Sequence, residues 1–373
     1  MFFTIKRSFI VVTIFLLLLF PKSVFANSNQ LGLSAQSAAL IDVNSGRILY
    51  EKNGDQKMRI ASLTKIMTAI VAIENGNLKE MVTTSDHAFG TEGSSIYLKK
   101  GEKLTLEDML YGLMLRSGND AAVAIAEHIG GSEEGFVFMM NQKAAELGMA
   151  RSRFMNPHGL DHKEHYSTAK DMAILTAYAL KNPVFKKIVS TKVKTAPLAD
   201  ESWDRKWVNK NKLLRMYEYA DGVKTGYTKL AKRCLASSAT KNGVQLAAIT
   251  LNAPDDWNDS IRLLEYGFQE YVQTPIVQTN QVIKKIKLDD EEKNIVPVRD
   301  FIYPLKSGEE KQIKKVIELY QPDQKIVDSH LIGKIKIYFN QKFIGAVPLQ
   351  IKEEEETLSK TMKSVWRRVW KGD

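Results

Sequence analysis

Three short motifs constrain this chain more than any other feature of its sequence. In chain order they are Ser62-Leu63-Thr64-Lys65, Ser117-Gly118-Asn119 and Lys224-Thr225-Gly226, and their first residues are 55 and then 107 positions apart. A serine and a lysine three residues apart on a helix lie one turn apart on the same face. Because serine is a weak nucleophile until a base takes its proton, a neighbouring amine can activate it without histidine. A second serine and a second lysine can then surround Ser62 from other segments.

The periodicity around each motif predicts its local structure. From Ala61 apolar residues recur at helical spacing, so we expect Ser62 in the first turn of a buried helix. There its hydroxyl is close to free backbone N–H groups and the positive end of the helix dipole. The second motif falls in the short link between predicted helices 106–115 and 121–129. The third lies on the first of three predicted strands, 222–228, 234–240 and 244–251, with a helix over 256–270 after them.

A second S-x-x-K occurs at Ser167-Thr168-Ala169-Lys170. No other motif accompanies it at a comparable order and spacing, so we interpret it as structural. Ser62 alone would favour a helix N-cap. It is the ordered set of three motifs that favours a catalytic serine.

The first 26 residues have the pattern of an export signal. Lys6 and Arg7 precede an apolar run over 9–20, and Val24-Phe25-Ala26 forms a small-x-Ala cleavage site before Asn27. The run is shorter than the about 20 residues of a membrane span, although an uncleaved anchor stays open. Removal of 1–26 takes away three basic and no acidic residues and lowers the formal charge from +10 to +7. A basic exported protein favours anionic wall polymers or lipid head groups over nucleic acid.

The sequence predicts neither a metal nor a cofactor. Cys234 is the only cysteine, so the exported chain has no internal disulfide and depends on its core. No Cys/His cluster has zinc spacing, and there is no G-x-G-x-x-G and no P-loop. His158, His162 and His165 follow no ligand pattern, and we interpret them as surface or supporting residues.

The composition changes after residue 272. Short alternating runs at 282–288, 295–304, 315–320, 334–339 and 342–351 predict a separate small β domain, 273–352. An acidic run, 353–356, links it to residues 357–373. On a helical wheel the tail places Trp366 and Trp370 among apolar residues and five basic residues opposite. We expect this helix to lie on an anionic membrane surface, with a helix in solvent or docked on the β domain as the alternative.

The residues around the motifs resemble serine-type D-alanyl-D-alanine carboxypeptidases, the low-molecular-mass penicillin-binding proteins of the peptidase S11 family. The matching stretches are 60–68, 113–127, 156–160 and 221–228, and the likeness runs from about residue 35 to the C-terminus. Stretches 111–127 and 225–233 most resemble the sporulation-specific enzyme of spore-forming Gram-positive bacteria. The resemblance implies an α/β fold of the β-lactamase/transpeptidase type, an antiparallel sheet flanked by helices with a helical subdomain, over 27–272. The small all-β domain and the amphipathic helix follow it.

The resemblance also implies a role for each motif residue. Ser62 is expected to be the acylated nucleophile and Lys65 its general base, with Ser117 and Asn119 relaying protons and holding the substrate amide. The substrate-binding residues would be Lys224, Thr225, Gly226 and Tyr227. Lys224 would supply positive charge and Thr225 would bind the terminal carboxylate. The backbone N–H groups of Ser62 and Tyr227 would form the oxyanion hole. The expected reaction is release of the terminal D-Ala from peptidoglycan stem pentapeptides, with β-lactams trapped at the acyl stage. The enzyme would be a monomer outside the cytoplasmic membrane, either on its outer face, in the wall, or in the space between mother cell and forespore.

One stretch departs from the family's pattern. Many relatives carry an arginine, associated with carboxylate binding, just ahead of the helix that follows the third strand. This chain has Asp255-Asp256-Trp257 there, so we expect carboxylate recognition to depend more on Lys224 and Thr225. Arg262 is nearby, but the role is not assigned to it.

Three other functions stay open on the sequence. A D,D-endopeptidase acting on cross-links uses the same residues. A β-lactamase shares the three motifs but needs a glutamate to activate the deacylating water and lacks a C-terminal β domain. A non-catalytic wall-binding or β-lactam-sensing module is disfavoured by the intact Ser62, Lys65, Asn119 and Lys224.

Overall fold

The computed structural model describes residues 31–197, 201, 203–288, 291–320 and 331–352. The predicted signal peptide, 1–26, and the predicted linker and tail helix, 353–373, lie outside the described residues. Within the described ranges no helix has the length and apolar character needed to cross a membrane.

The first part of the chain surrounds an antiparallel five-stranded sheet with the order β2-β1-β9-β8-β7. Helices cover both faces, and β1 is consequently buried at every position. The three strands predicted over 222–251 are confirmed as neighbours in this sheet, and β7, with the third motif, is an edge strand. The strands in chain order are β1 Ser37–Asp42, β2 Ile48–Lys52, β3 Met81–Thr83, β4 Lys103–Thr105, β5 Val193–Ala196, β6 Arg205–Val208, β7 Ala220–Thr228, β8 Lys232–Lys241 and β9 Val244–Leu251.

The helices form the layers around this sheet and a helical subdomain beside it. α1 is buried on all sides from Thr64 to Ala72, as expected of a helix that is apolar around its circumference. α6 packs on β1 and β9, and α9 packs on β8 and β9. The helices are α1 Thr64–Asn75, α2 Asp86–Phe89, α3 Leu106–Tyr111, α4 Asn119–Gly130, α5 Glu133–Glu146, α6 Ala169–Leu180, α7 Pro183–Ser190, α8 Leu213–Met216 and α9 Asp256–Glu270.

The prediction of one α-helix over 106–115 is partly wrong. α3 ends at Tyr111, and Gly112–Arg116 continues as a π-helix. A Cβ at Gly112 would lie 2.6 Å from Cδ1 of Ile96, so the glycine permits close packing where the helix changes type. The wider turn ends at Ser117, which has a left-handed backbone with φ 66°. Single π-turns of this kind are frequent at functional sites.

The remaining strands form the small β domain. A five-stranded antiparallel sheet, order β11-β12-β16-β15-β14, packs against the two-stranded sheet β10-β13 around a core that includes Ile295, Ile335 and Val347. The single strand predicted over 295–304 is wrong, because the chain turns after Pro297 and its two halves belong to different sheets. The strands are β10 Val272–Val277, β11 Lys284–Leu288, β12 Glu291–Pro297, β13 Phe301–Leu305, β14 Ile313–Leu319, β15 Leu331–Phe339 and β16 Lys342–Ile351.

Candidate active site

Ser62 and Lys65 meet at the start of α1. Ser62 lies in a 3-10 turn, Ala61–Leu63, and α1 itself begins at Thr64. Residues three apart lie on the same face of a helical segment, and the Nζ atom of Lys65 lies 3.2 Å from Oγ of Ser62. Ala61 has a left-handed backbone with φ 48°, an unusual conformation for a residue with a side chain. The serine is therefore presented by a tight turn at the end of a rigid, buried helix.

The amine of Lys65 is enclosed by acceptors. Its side chain is 0% exposed, and Nζ lies 2.7 Å from Oδ1 of Asn119 and 2.6 Å from the carbonyl oxygen of His158. The amide of Asn119 is fixed in this orientation because its Nδ2 donates to the carbonyl oxygen of Glu92 at 2.7 Å. Both oxygens near Nζ can only accept. A neutral amine has two N–H groups for them and one lone pair, which then faces the hydroxyl of Ser62.

The surroundings of Lys65 favour that neutral form. Burial lowers the pKa of Lys65 well below its ordinary value, and the positive charges of Lys224 and Lys210 lower it further. The carboxylate of Asp120 acts in the opposite direction. Lysine is seldom fully buried in folded proteins. A buried amine with a depressed pKa is the requirement for a lysine that acts as a base near neutral pH.

The third motif lies on the edge strand β7, directly beside Ser62. A Cβ at Gly226 would lie 3.2 Å from the backbone nitrogen of Ser62, so the strand and the serine turn approach closely. Lys224 is also buried, 1% exposed, and donates to the carbonyl oxygen of Thr225 at 2.8 Å. Burial, and then the charge of Lys210, lowers the pKa of Lys224 to about 7.

Ser117 completes the set from the helical side. Its left-handed backbone turns it toward a cleft of about 410 Å³ that also contains Ser62. The structure thus brings all three motifs to one cleft, with Ser117 and Asn119 on one side of Ser62 and β7 on the other. The cleft is lined by Ser62, Ser94, Ser117, Lys210, Thr225, Gly226, Tyr227, Arg233, Asp256 and Trp257.

Several residues of the site were missed in the sequence. Lys210 lines the cleft, and its backbone N–H donates to the carbonyl oxygen of Leu115 at 3.0 Å. Burial, followed by the charge of Arg116, lowers its pKa. The flanking Asn209 and Asn211 brace this turn through their side-chain oxygens. In the sequence, the asparagines on each side of Lys210 are the only local indication that this lysine belongs to the site.

The stretch Asp255-Asp256-Trp257 has an unexpected place in the site. Asp256 and Trp257 line the cleft together with Arg233, which reaches it from β8. Arg262, in contrast, forms ion pairs with Asp259 and Asp255 and is not among the cleft residues.

The buried histidines support the site rather than take part in it. His158 contributes its backbone oxygen to Lys65, while its Nδ1 accepts from the backbone of Leu160 at 3.1 Å. Nε2 of His165 lies 2.8 Å from Oγ1 of Thr64, and this contact braces the first turn of α1. Burial is the main cause that lowers the pKa of His158 to about 3 and that of His165 to about 4. Both are neutral at working pH, as the interpretation of these residues as supporting groups requires.

The second S-x-x-K is structural, as predicted. Ser167 is fully buried, with its hydroxyl 2.7 Å from Oγ of Ser152. Thr168 caps the N-terminus of α6. Lys170 forms ion pairs, each 3.6 Å long, with Glu51 and Asp55. The lysine therefore points away from Ser167.

In the part of the chain that the structure describes, no three His, Cys, Asp or Glu side chains come together in a way that could hold a metal ion. The chemistry available in the cleft is that of a serine activated by a buried lysine, with cations at both sides. This defines the class of the site as a serine–lysine acyl-transfer centre.

Comparison with known proteins gives the family. The protein-family model for D-alanyl-D-alanine carboxypeptidases of the peptidase S11 family matches residues 24–255. The family model for the C-terminal domain of penicillin-binding protein 5 matches residues 271–357. The chain belongs to the peptidase S11 family of D-alanyl-D-alanine carboxypeptidases. The predicted fold class, a transpeptidase-like catalytic domain followed by an all-β domain, is confirmed by these matches.

Individual relatives extend over nearly the whole chain. D-alanyl-D-alanine carboxypeptidase DacF of Bacillus subtilis is 36% identical, with 91% of this chain and 92% of that protein aligned. DacA of Haemophilus influenzae is 32% identical over 88% of each chain. The crystal structure of penicillin-binding protein 5 from Haemophilus influenzae aligns with a TM-score of 0.69 at 29% identity, covering 86% of this chain and 97% of that one.

Proposed function

We propose that this protein is a serine-type carboxypeptidase that removes the terminal D-Ala from peptidoglycan stem pentapeptides. The observation that carries the proposal is the amine of Lys65, buried, depressed in pKa and 3.2 Å from the hydroxyl of Ser62. The names of the relatives, D-alanyl-D-alanine carboxypeptidases, supply the substrate class.

Acylation begins with Ser62. Lys65 takes the hydroxyl proton through its lone pair while Oγ attacks the carbonyl carbon of the penultimate D-Ala. The backbone N–H groups of Ser62 and Tyr227 stabilise the oxyanion, and the close approach of Gly226 to the nitrogen of Ser62 supports this role. The C–N bond then breaks, and the leaving D-Ala amine receives a proton relayed by Ser117.

Substrate is held along the edge of β7. Asn119 binds the peptide amide. The hydroxyl of Thr225 binds the terminal carboxylate, which the positive charge of the buried Lys224 attracts. Water then attacks the ester on Ser62, with Lys65 again as base, and releases the tetrapeptide. A β-lactam acylates the same serine and leaves it slowly, because its leaving group stays attached to the adduct.

We further propose the arrangement of the whole chain. Residues 1–26 direct export, 27–272 form the catalytic domain, 273–352 form the β domain and 357–373 lie on the anionic outer face of the cytoplasmic membrane. We assign the protein a role in the spore cortex, in the space between mother cell and forespore, because stretches 111–127 and 225–233 resemble the sporulation-specific enzyme of spore-forming bacteria. The family's substrate, peptidoglycan, lies outside the cytoplasm.

The proposal is tested with the purified mature protein and a stem pentapeptide that ends in D-Ala-D-Ala. We expect equal amounts of free D-Ala and tetrapeptide, and none of either from Ser62→Ala. Faster cleavage of a cross-linked dimer than of the pentapeptide would instead identify an endopeptidase. A penicillin adduct that turns over within seconds would identify a β-lactamase.

A further inference from the structure

Arg233 brings a guanidinium into the active-site cleft from β8, outside the three motifs. In the antiparallel register it lies opposite Tyr227, and residues directly opposite one another share a face of the sheet. Thr225, two residues from Tyr227, is on that face as well. The guanidinium and the threonine hydroxyl therefore border the same end of the cleft, within the diagonal reach of a long side chain.

The guanidinium is held from behind by a buried carboxylate. Nε of Arg233 lies 3.1 Å from Oδ1 of Asp256, and Nη2 contacts the same oxygen. The indole of Trp257 lies 5.8 Å from the guanidinium carbon. The side chain of Asp256 is 5% exposed while that of Arg233 is 43% exposed. Nε and Nη2 are held by Asp256, and among the described residues Nη1 has no hydrogen-bond partner. The edge formed by Nη1 and Nη2 is therefore available to a ligand in the cleft that Arg233 lines.

The other cations of the site do not present such an edge. Lys224 is buried and directs Nζ to the carbonyl oxygen of Thr225. Lys210 is a point charge on the other side of the cleft and lies near the catalytic lysines, whose pKa values it lowers. A planar guanidinium fork matches a carboxylate with two parallel hydrogen bonds, which an ammonium cannot do. The charges of Lys210 and Lys224 keep the cleft attractive to anions although Asp256 balances Arg233.

We infer that Arg233, oriented by Asp256 and Trp257, is a specificity-determining residue that receives the C-terminal carboxylate of the peptide beside Thr225. The inference rests on the proposed function, because a carboxypeptidase must distinguish a free chain end from a continuing chain. It differs from the expectation that Lys224 and Thr225 alone recognise this group. The competing explanation is that the Arg233–Asp256 pair only fastens β8 to α9.

A pair of matched peptides separates the two explanations. Both end in D-Ala-D-Ala, one as the free acid and one as the carboxamide. For Arg233→Gln we expect kcat/KM to fall about 10- to 100-fold on the acid, the effect of losing hydrogen bonds to a charged group, and less than about threefold on the carboxamide. Lys232→Gln is the matched control, since this exposed residue is next to Arg233 on β8, outside the cleft, and carries the same charge. It should behave as wild type on both.

A second pair of compounds is used if the carboxamide peptide is cleaved too slowly to measure. The rate of acylation by benzylpenicillin, which has a carboxylate, is compared with that by its methyl ester, and Arg233→Gln should slow only the first. Equal losses on acid and neutral partners, in either pair, would overturn the inference and leave the fastening role. If wild type releases no D-Ala from any peptide, the proposed function fails, while the penicillin pair still decides the role of Arg233.

Discussion

The amine nitrogen of Lys65 lies 2.7 Å from the side-chain oxygen of Asn119. Because the other atom of that amide donates to the carbonyl oxygen of Glu92, the oxygen near Lys65 cannot exchange places with the nitrogen. Asn119 thus presents a neutral acceptor to Lys65. A charged acceptor at the same position would hold the proton that Lys65 must lose.

Asn119→Asp tests this relationship. An adjacent carboxylate favours the ammonium form and raises the pKa of Lys65, typically by about 1–3 units for an opposite charge at this distance. The acidic limb of acylation by penicillin should therefore move to higher pH by the same amount, so that the rate on that limb falls about 10- to 1000-fold. A lower rate with the acidic limb in its wild-type position would mean that the substitution removed a substrate contact and did not raise the pKa of the base.

Lys65 and Lys224 should respond differently to arginine. Lys65→Arg keeps the charge but cannot release a proton, so acylation should fall by orders of magnitude. Lys224→Arg keeps the charge that this position supplies and should retain measurable activity. In wild type the basic limb of kcat/KM should lie at about 7, where Lys224 loses its proton, and it should be absent in Lys224→Arg. Equal losses in both variants would contradict this division of roles.

Lys210→Gln should move the whole pH profile. The positive charge of Lys210 lowers the pKa of both Lys65 and Lys224, so its removal raises both. The acidic limb, which needs neutral Lys65, and the basic limb, which needs charged Lys224, should both shift to higher pH. Lys212→Gln removes an exposed charge two residues away and should leave the limbs in place. A lower rate with unmoved limbs would show that Lys210 acts only through packing.

Gly159→Ala should lower the unfolding free energy of the protein, because Gly159 lies in the loop that supports Lys65. Gly159 has φ 87°, and a Cβ there would lie 2.0 Å from the carbonyl oxygen of Ala61. Gly148 is a matched control, with φ 72° but no atom within 4 Å of an added Cβ. Gly148→Ala should lose about 1 kcal/mol of unfolding free energy from backbone strain alone, and Gly159→Ala clearly more. Urea unfolding of the two variants measures the difference. Equal losses of unfolding free energy would show that the loop moves enough to accommodate the added Cβ.

The sequence was sufficient for the residues whose chemistry is local. The strand with Lys224 and the helix over 256–270 each carry their own periodicity, and the structure has them where they were expected. Ser62, expected in the first turn of a helix, lies in a 3-10 turn directly before α1. The π-helix at Gly112–Arg116 was not predictable, because five residues make about one turn, which is too short for a change of apolar spacing to show. Lys210 was missed because only the packing of distant segments brings it into the cleft. Arg233 was missed because the pairing register that sets it opposite Tyr227 is not given by the periodicity of either strand. The roles given to the motif residues stay predictions until the variants are measured.

The central claim, that Ser62 is the acylated nucleophile, is tested most directly by locating the penicillin adduct. Wild type, Ser62→Ala and Ser167→Ala are labelled with fluorescent penicillin, digested and mapped by mass spectrometry, with thermal unfolding as the control for folding. We predict one adduct on Ser62 in wild type and in Ser167→Ala, and no label on a folded Ser62→Ala protein. An adduct on Ser167, or labelling of Ser62→Ala at the wild-type rate, would contradict the account.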